Sequence, residues 1–121
     1  MTFAFPRTEK RDLNETQQEF TFKGQWSSGK VVDYHPNGMT LLKNPCYQTS
    51  MNIDHGASGG PVLKGKYVVG VNSTGMKVEE GSDPISFITP IGLIEDIGVR
   101  SNIGNISVKQ LIENGVIACE R

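Results

Sequence analysis

Hydrophobic and polar residues alternate along the first half of the chain in short runs, each ended by glycine or proline. The clearest run is residues 19–26, in which Phe20, Phe22 and Trp26 fall on one face and polar residues on the other. This period of two is typical of a half-buried strand. A serine- and glycine-rich turn separates it from a second run at residues 30–34, so the pattern predicts a β-hairpin.

The remaining runs predict further strands and few helices. Strands are predicted at residues 3–5, 39–42, 61–63, 67–72 and 85–91, and polar loops at residues 7–18 and 77–84. No helix of ordinary length is predicted before residue 90. Short strands separated by glycine and proline turns at this spacing predict an all-β barrel.

The hydrophobic period changes after Pro90. Apolar residues from Ile91 onward fit one face of a short helix ending near Gly98. Ser107 and Gln110 have the spacing of a capping box, so they predict the start of another helix. The chain is therefore predicted to form a barrel domain at residues 1–99 and a short helical tail at residues 100–121 that docks on the barrel.

Composition narrows the possible partners and cofactors. A chain of 121 residues with a net charge of -1 and scattered charges is not expected to bind nucleic acid or an anionic membrane as its main partner. Cys46 and Cys119 lie far apart in no ligand cluster, so neither a metal site nor another cofactor is expected, while a disulfide between them is left open. No signal peptide or membrane-spanning run is visible, so a cytoplasmic location is expected if the chain is complete.

The strongest chemical signal is the sequence Gly-Ala-Ser-Gly-Gly-Pro at residues 56–61. A nucleophilic serine must project into solvent from a turn whose backbone N–H groups point at the developing oxyanion. Glycines on both sides permit the required backbone angles and clear space for the substrate carbonyl. The alternative is a glycine-rich hairpin with a surface serine.

Together with residues 67–75 and 86–90, this turn resembles the chymotrypsin/trypsin-like serine peptidases, and in particular their bacterial trypsin-like branch. The resemblance spans roughly Phe3 to Ile97. It implies the second of the family's two barrels, a six-stranded antiparallel Greek-key barrel. It also implies serine endopeptidase activity, in which a peptide bond is hydrolysed through an acyl-enzyme.

The resemblance assigns roles to individual residues. Ser58 matches the nucleophile, and the backbone N–H groups of Gly56 and Ser58 match the oxyanion hole. The residues expected to bind substrate are Asn52, Ile53, Ser73, Thr74, Gly75 and Ser86. Because Asn52, Ile53 and Ser86 are uncharged, we expect an uncharged, small-to-medium P1 side chain. Ala57 departs from the family, since many members have an aspartate there that binds the N-terminus formed on activation.

The resemblance places the catalytic histidine and aspartate on a first barrel. Only 57 residues precede Ser58, which is too few to form that barrel. His35 and His55 are poorly placed in sequence to act as the base. The chain alone is therefore expected to be inactive, and whether it is an enzyme or a truncated fragment is left open. Expected partners are a peptide or protein substrate and either the missing N-terminal barrel or a second copy bound through the exposed barrel face. The alternative is a non-catalytic, peptidase-derived module that binds peptides.

Overall fold

The computed structural model describes residues 1–102 and 104–120, which form two units, residues 1–90 and residues 91–121. The first unit is a seven-stranded antiparallel sheet with the strand order β2-β1-β5-β6-β7-β4-β3. Its strands are β1 Thr2–Asp12, β2 Gln18–Ser27, β3 Val31–His35, β4 Cys46–Thr49, β5 Pro61–Lys64, β6 Tyr67–Met76 and β7 Ile85–Pro90. The predicted all-β class is confirmed.

The predicted six-stranded Greek-key barrel is not confirmed, because the sheet does not close. Its two edges are β2 and β3, and these strands do not pair with each other. The predicted hairpin between them is therefore wrong. Instead, β3 pairs with β4, and Lys30 and Ser50 exchange hydrogen bonds where the two strands meet.

Two local predictions are also wrong. The first strand does not stop at Pro6 but continues to Asp12, because a register shift between Ala4 and Arg7 places the proline at an irregularity in the pairing with β2. Residues 39–42 form a tight turn instead of a strand. Met39 and Leu42 exchange backbone hydrogen bonds of 2.6 and 3.2 Å, which close that turn.

The centre of the sheet carries a small core. Met51, Val62 and Ile88 are buried, and Tyr47, Ile53 and Val69 pack against them. The predicted central strands β5, β6 and β7 are confirmed, and the predicted loop at residues 77–84 separates β6 from β7. Many other large apolar side chains remain exposed, among them Phe20, Phe22 and Trp26 of β2. Their strand is therefore not half-buried as predicted.

The second unit contains a 3-10 helix at Ile91–Ile94, a hairpin of β8 Gly98–Ser101 with β9 Gly104–Ser107, and the helix α1 Val108–Glu113. The prediction of a wholly helical tail is wrong for the hairpin. The capping box is confirmed, since the Ser107 side chain accepts from the backbone of Gln110 and the Gln110 side chain accepts from Ser107. The boundary at residue 99 and the docking of the tail stay predictions.

Both cysteines are free, with Cys46 buried and Cys119 exposed. None of the described helices combines the length and apolar character needed to span a bilayer.

Candidate active site around Ser58

The serine turn is built from two consecutive tight turns between β4 and β5. The N–H of Ala57 donates to the carbonyl of Asp54, and the N–H of Gly60 donates to the carbonyl of Ala57, both at 3.1 Å. Gly56 and Gly59 have φ angles of 90° and 83°. These values lie in the left-handed region, where glycine is strongly favoured over other residues. The local sequence therefore supplies the backbone that the tight turns need.

Ser58 is exposed at the tip of this turn, and its hydroxyl donates to the carbonyl oxygen of Ser73 at 3.3 Å. A register shift in the pairing of β6 with β7 falls between Asn72 and Thr74, which places the bulge at Ser73. Bulges redirect backbone and side-chain groups at such positions. The structure thus brings Ser58 and Ser73 together, as their assignment to one site requires.

The backbone N–H groups of Gly56 and Ser58 donate to no protein acceptor within the described residues. Both groups flank the buried Ala57, whose side chain is only 4% exposed. Neither donor is therefore committed to a partner among the described residues, and uncommitted backbone donors are what an oxyanion hole requires.

Asn72 on β6 fastens the serine turn to the sheet and was missed by sequence reasoning. Its backbone N–H donates to the carbonyl of Gly60 at 2.9 Å, and its carbonyl accepts from the N–H of Gly59 at 2.8 Å. Its side-chain Nδ2 donates to the carbonyl of Ala57 at 3.2 Å and to Thr2 Oγ1 at 2.7 Å. A buried neutral amide thus holds the loop on both sides of Ser58.

The Asn72 side chain is not fully satisfied. The residue is 2% exposed, and its Oδ1 has no hydrogen-bond partner among the described residues. Thr2 Oγ1, which accepts from Nδ2, itself donates to the carbonyl of Pro61 at 2.7 Å. A chain of hydrogen bonds therefore runs from the start of β1 to both sides of the serine.

A pocket of about 490 Å³ opens beside Ser58. Four of the six predicted substrate-binding residues line it, namely Asn52, Ile53, Thr74 and Gly75. Gly75 has no room for a side chain, since a Cβ atom there would lie 2.8 Å from the carbonyl oxygen of Ile53.

The other two predicted substrate-binding residues do not line the pocket. Ser86 is fully buried, and its hydroxyl lies 2.6 Å from Thr49 Oγ1. The hydroxyl of Ser73 lies 2.6 Å from that of Thr89, so Ser73 reaches Ser58 through its carbonyl oxygen alone.

Acidic side chains also line this pocket. Asp54, Glu79 and Glu80 contribute to the lining, together with Lys77. Three of these residues belong to or border the exposed loop between β6 and β7. Sequence reasoning considered only the residues before the serine and on β6 and β7, so it missed this charge.

No histidine or carboxylate among the described residues forms a hydrogen bond with the Ser58 hydroxyl. His55 lines the pocket but forms no hydrogen bond with the serine hydroxyl. His35 lies on β3, where its Nε2 is 3.1 Å from Gln48 Oε1 and 3.8 Å from Asp33 Oδ2. No group of three or more histidine, cysteine, aspartate or glutamate side chains in the described ranges is arranged to hold a metal ion.

Comparison with known proteins gives one match. The family model described as Trypsin matches residues 3–97. No curated protein and no solved structure matches the chain. The matched residues include the serine turn, Asn72 and the whole lining of the pocket.

Proposed function

This chain belongs to the trypsin family, and from that membership we propose that it carries the nucleophile-bearing half of a serine endopeptidase site. Ser58 attacks the carbonyl carbon of a peptide bond while its hydroxyl proton passes to a base. The base then gives that proton to the leaving amine as the C–N bond breaks, and the acyl-enzyme remains. Water then hydrolyses the ester and restores the serine. The observation that carries this proposal is the exposed Ser58 hydroxyl, bonded to Ser73 beside an open pocket.

In this proposal the substrate adds as a strand along β6. β5 pairs with β6 only as far as the Pro61–Val71 pair, so the later residues Ser73, Thr74 and Gly75 have no neighbour from β5. Two of them line the pocket. An extended peptide that pairs with such an edge gains main-chain hydrogen bonds, and the pocket next to it receives one side chain.

The residues that line the pocket support two possible preferences for the P1 side chain. Asn52 and Ile53 support the uncharged, small-to-medium residue expected from the sequence, whereas Glu79 and Glu80 would attract a longer cationic side chain that reaches the exposed loop. Peptides that differ only in a P1 valine, glutamine or lysine separate the two possibilities. We propose the uncharged preference, and tighter binding of the lysine peptide would contradict it.

The proposal assigns no hydrolysis to the chain alone, because a serine hydroxyl without a base is a poor nucleophile at neutral pH. The base comes from a partner that supplies the family's first barrel. The exposed surface supports a missing partner, since many large apolar side chains of the first unit are exposed, among them Phe22, Trp26 and Val31. A second copy that covers the same surface is the other partner we propose.

A fluorophosphonate probe tests the state of Ser58. We expect slow labelling by the isolated chain, and faster labelling together with peptide hydrolysis when a first barrel of the same family is added. Ser58→Ala removes the labelled hydroxyl and serves as the control. Rapid labelling of the isolated chain that is lost in Ser58→Ala would contradict the absence of a base.

The second candidate function is a non-catalytic module that binds peptides. The observation in its favour is that the β6 edge and the pocket are formed by residues of this chain alone. Peptide binding that persists in Ser58→Ala, without hydrolysis even when a first barrel is added, would favour this function. Restored hydrolysis would favour the peptidase.

A further inference from the structure

The strand β2 is a long, open edge of the sheet. Its only strand neighbour among the described residues is β1. Nine of its ten residues are exposed, and it contains no proline. The opposite edge strand, β3, has only five residues. An edge of this length presents unpaired N–H and C=O groups that can pair with another strand.

The sequence of β2 is complementary to itself in one register. If a second copy pairs antiparallel about a two-fold axis at Thr21, Glu19 of each copy faces Lys23 of the other. A register centred on Glu19 would place two glutamates opposite each other, and one centred on Lys23 would place two lysines opposite each other. Registers centred on Phe20 or Phe22 place neither Glu19 nor Lys23 opposite a charged residue. Opposite charges across a strand pair stabilise it, and like charges destabilise it.

The same register joins the aromatic faces of the two copies. Phe20 of each copy faces Phe22 of the other, on the face opposite Glu19 and Lys23. Within one chain, Phe22 packs edge-on against Phe5 with ring centroids 6.3 Å apart. The side chain of Phe22 is therefore already placed on the aromatic face, and aromatic pairs across neighbouring strands add to their stability.

We propose that residues 18–24 of β2 pair antiparallel with the same residues of a second copy, centred on Thr21, so that two sheets join into one. Lys23, which forms an ion pair with Glu9 of its own chain, then lies between that glutamate and Glu19 of the second copy. This proposal rests on the sheet edge and does not depend on the peptidase site.

Charge reversal tests the register. At low ionic strength, Glu19→Lys and Lys23→Glu should each weaken the dimerisation Kd by about tenfold or more, because both charge pairs across the axis become repulsive. An equimolar mixture of the two variants should dimerise as tightly as the parent, since both charge pairs across the axis of the mixed dimer join opposite charges. The double variant Glu19→Lys/Lys23→Glu should also regain the parent Kd. Sedimentation velocity over a concentration series measures all four samples.

Glu9→Gln is the matched control, because it removes the ion pair within the chain and leaves the proposed contact intact. Its Kd should stay within about twofold of the parent. A parent that stays monomeric at every concentration, or a mixture that associates no better than its components, would overturn the proposal. If the single variants fail to fold, the double variant decides: a dimer with the parent Kd supports the register and a monomer refutes it.

Discussion

Replacing Asn72 with leucine tests whether a neutral amide holds the serine turn in place. Leucine has nearly the same branched shape, so the substitution removes the polar atoms and leaves little cavity. The two hydrogen bonds from Nδ2, to Ala57 and to Thr2, are lost. The backbone hydrogen bonds of residue 72 with Gly59 and Gly60 can remain.

The expected loss of stability depends on which hydrogen bonds the two partners of the Asn72 amide retain. The Ala57 carbonyl still accepts from the N–H of Gly60, and Thr2 Oγ1 still donates to Pro61, so neither becomes wholly unpaired. Two lost hydrogen bonds cost about 2 kcal/mol in total, and removal of the unpaired Oδ1 returns about 1 kcal/mol. We therefore expect the unfolding free energy to fall by about 1–2 kcal/mol.

Asn72→Asp sharpens the test, because it keeps the shape and replaces the donor with a buried carboxylate. At neutral pH the loss should exceed that of the leucine variant, at about 3 kcal/mol or more. Burial raises the pKa of such a carboxyl in the folded state, so the penalty is complete above that folded pKa. The penalty shrinks as the pH falls below that value, and it is gone only below the pKa of the unfolded chain, about 4. There the acid is protonated in both states and donates one hydrogen bond in the folded one.

Urea unfolding measures the free energies, and native-state hydrogen exchange reports on the turn itself. The N–H of Gly60, which donates to Ala57, should lose protection in the leucine variant by about tenfold. Asn105→Leu, at an exposed position of β9, is the matched control and should change stability by less than about 0.5 kcal/mol. If Asn72→Leu matches this control in both measurements, the side-chain amide does not hold the turn.

Two further changes follow from close contacts and burial. Gly75→Ala should lower the unfolding free energy by about 1–3 kcal/mol, because its Cβ would lie 2.8 Å from the carbonyl oxygen of Ile53. Gly92→Ala is the control, since its Cβ would meet no atom within 4 Å. Equal urea midpoints for the two variants would contradict the clash. Burial raises the pKa of the Cys46 thiol, so an aromatic disulfide reagent at pH about 8 should modify Cys119 quickly and Cys46 only upon unfolding. Cys46→Ala is the control that identifies the slow thiol. Rapid reaction of both thiols in the folded protein would contradict this expectation.

Local signals in the sequence were reliable where short-range chemistry decides the structure. Gly56 and Gly59 have the backbone angles expected of the serine turn. The capping box at Ser107 forms as its spacing predicts, because both of its hydrogen bonds join residues three apart. The turn between β5 and β6 likewise contains Gly65 at a φ of 60°. In each case the residues that determine the geometry are neighbours in sequence.

Pairing between distant strands could not be predicted in the same way. The alternating pattern identifies β2 and β3 as strands but does not say that β3 pairs with β4, since period two is satisfied with any partner. The prediction that the first strand ends at Pro6 was wrong for a similar reason, because a bulge tolerates the missing N–H of a proline and a regular ladder does not. Both errors concern partners that only the folded chain brings together.

Asn72 was detectable in principle. It occupies the same face of β6 as the buried Gly70, within a strand otherwise rich in valine. A polar side chain at an inward-facing position of a strand predicts a hydrogen-bonded role in the core. What the sequence lacks is the identity of its partners, because Thr2 and Ala57 are distant along the chain. The acidic lining from Glu79 and Glu80 was hidden similarly, since it depends on the path of their loop.

The proposed dimer edge and the proposed peptide edge lie on different strands. In the sheet order, β1 and β5 separate β2 from β6, so a second copy paired at Thr21 adds its sheet away from the edge at Ser73. Peptide binding and dimerisation are therefore expected to be independent, with the same peptide affinity in the parent and in Lys23→Glu. One route for coupling between them is the hydrogen bond that Asn72 Nδ2 donates to Thr2 Oγ1, which would transmit the state of β1 and β2 to the serine turn. Since Thr2→Val removes the hydroxyl of that connection and changes no residue of β2, it would distinguish such transmission from a direct contact between peptide and second copy.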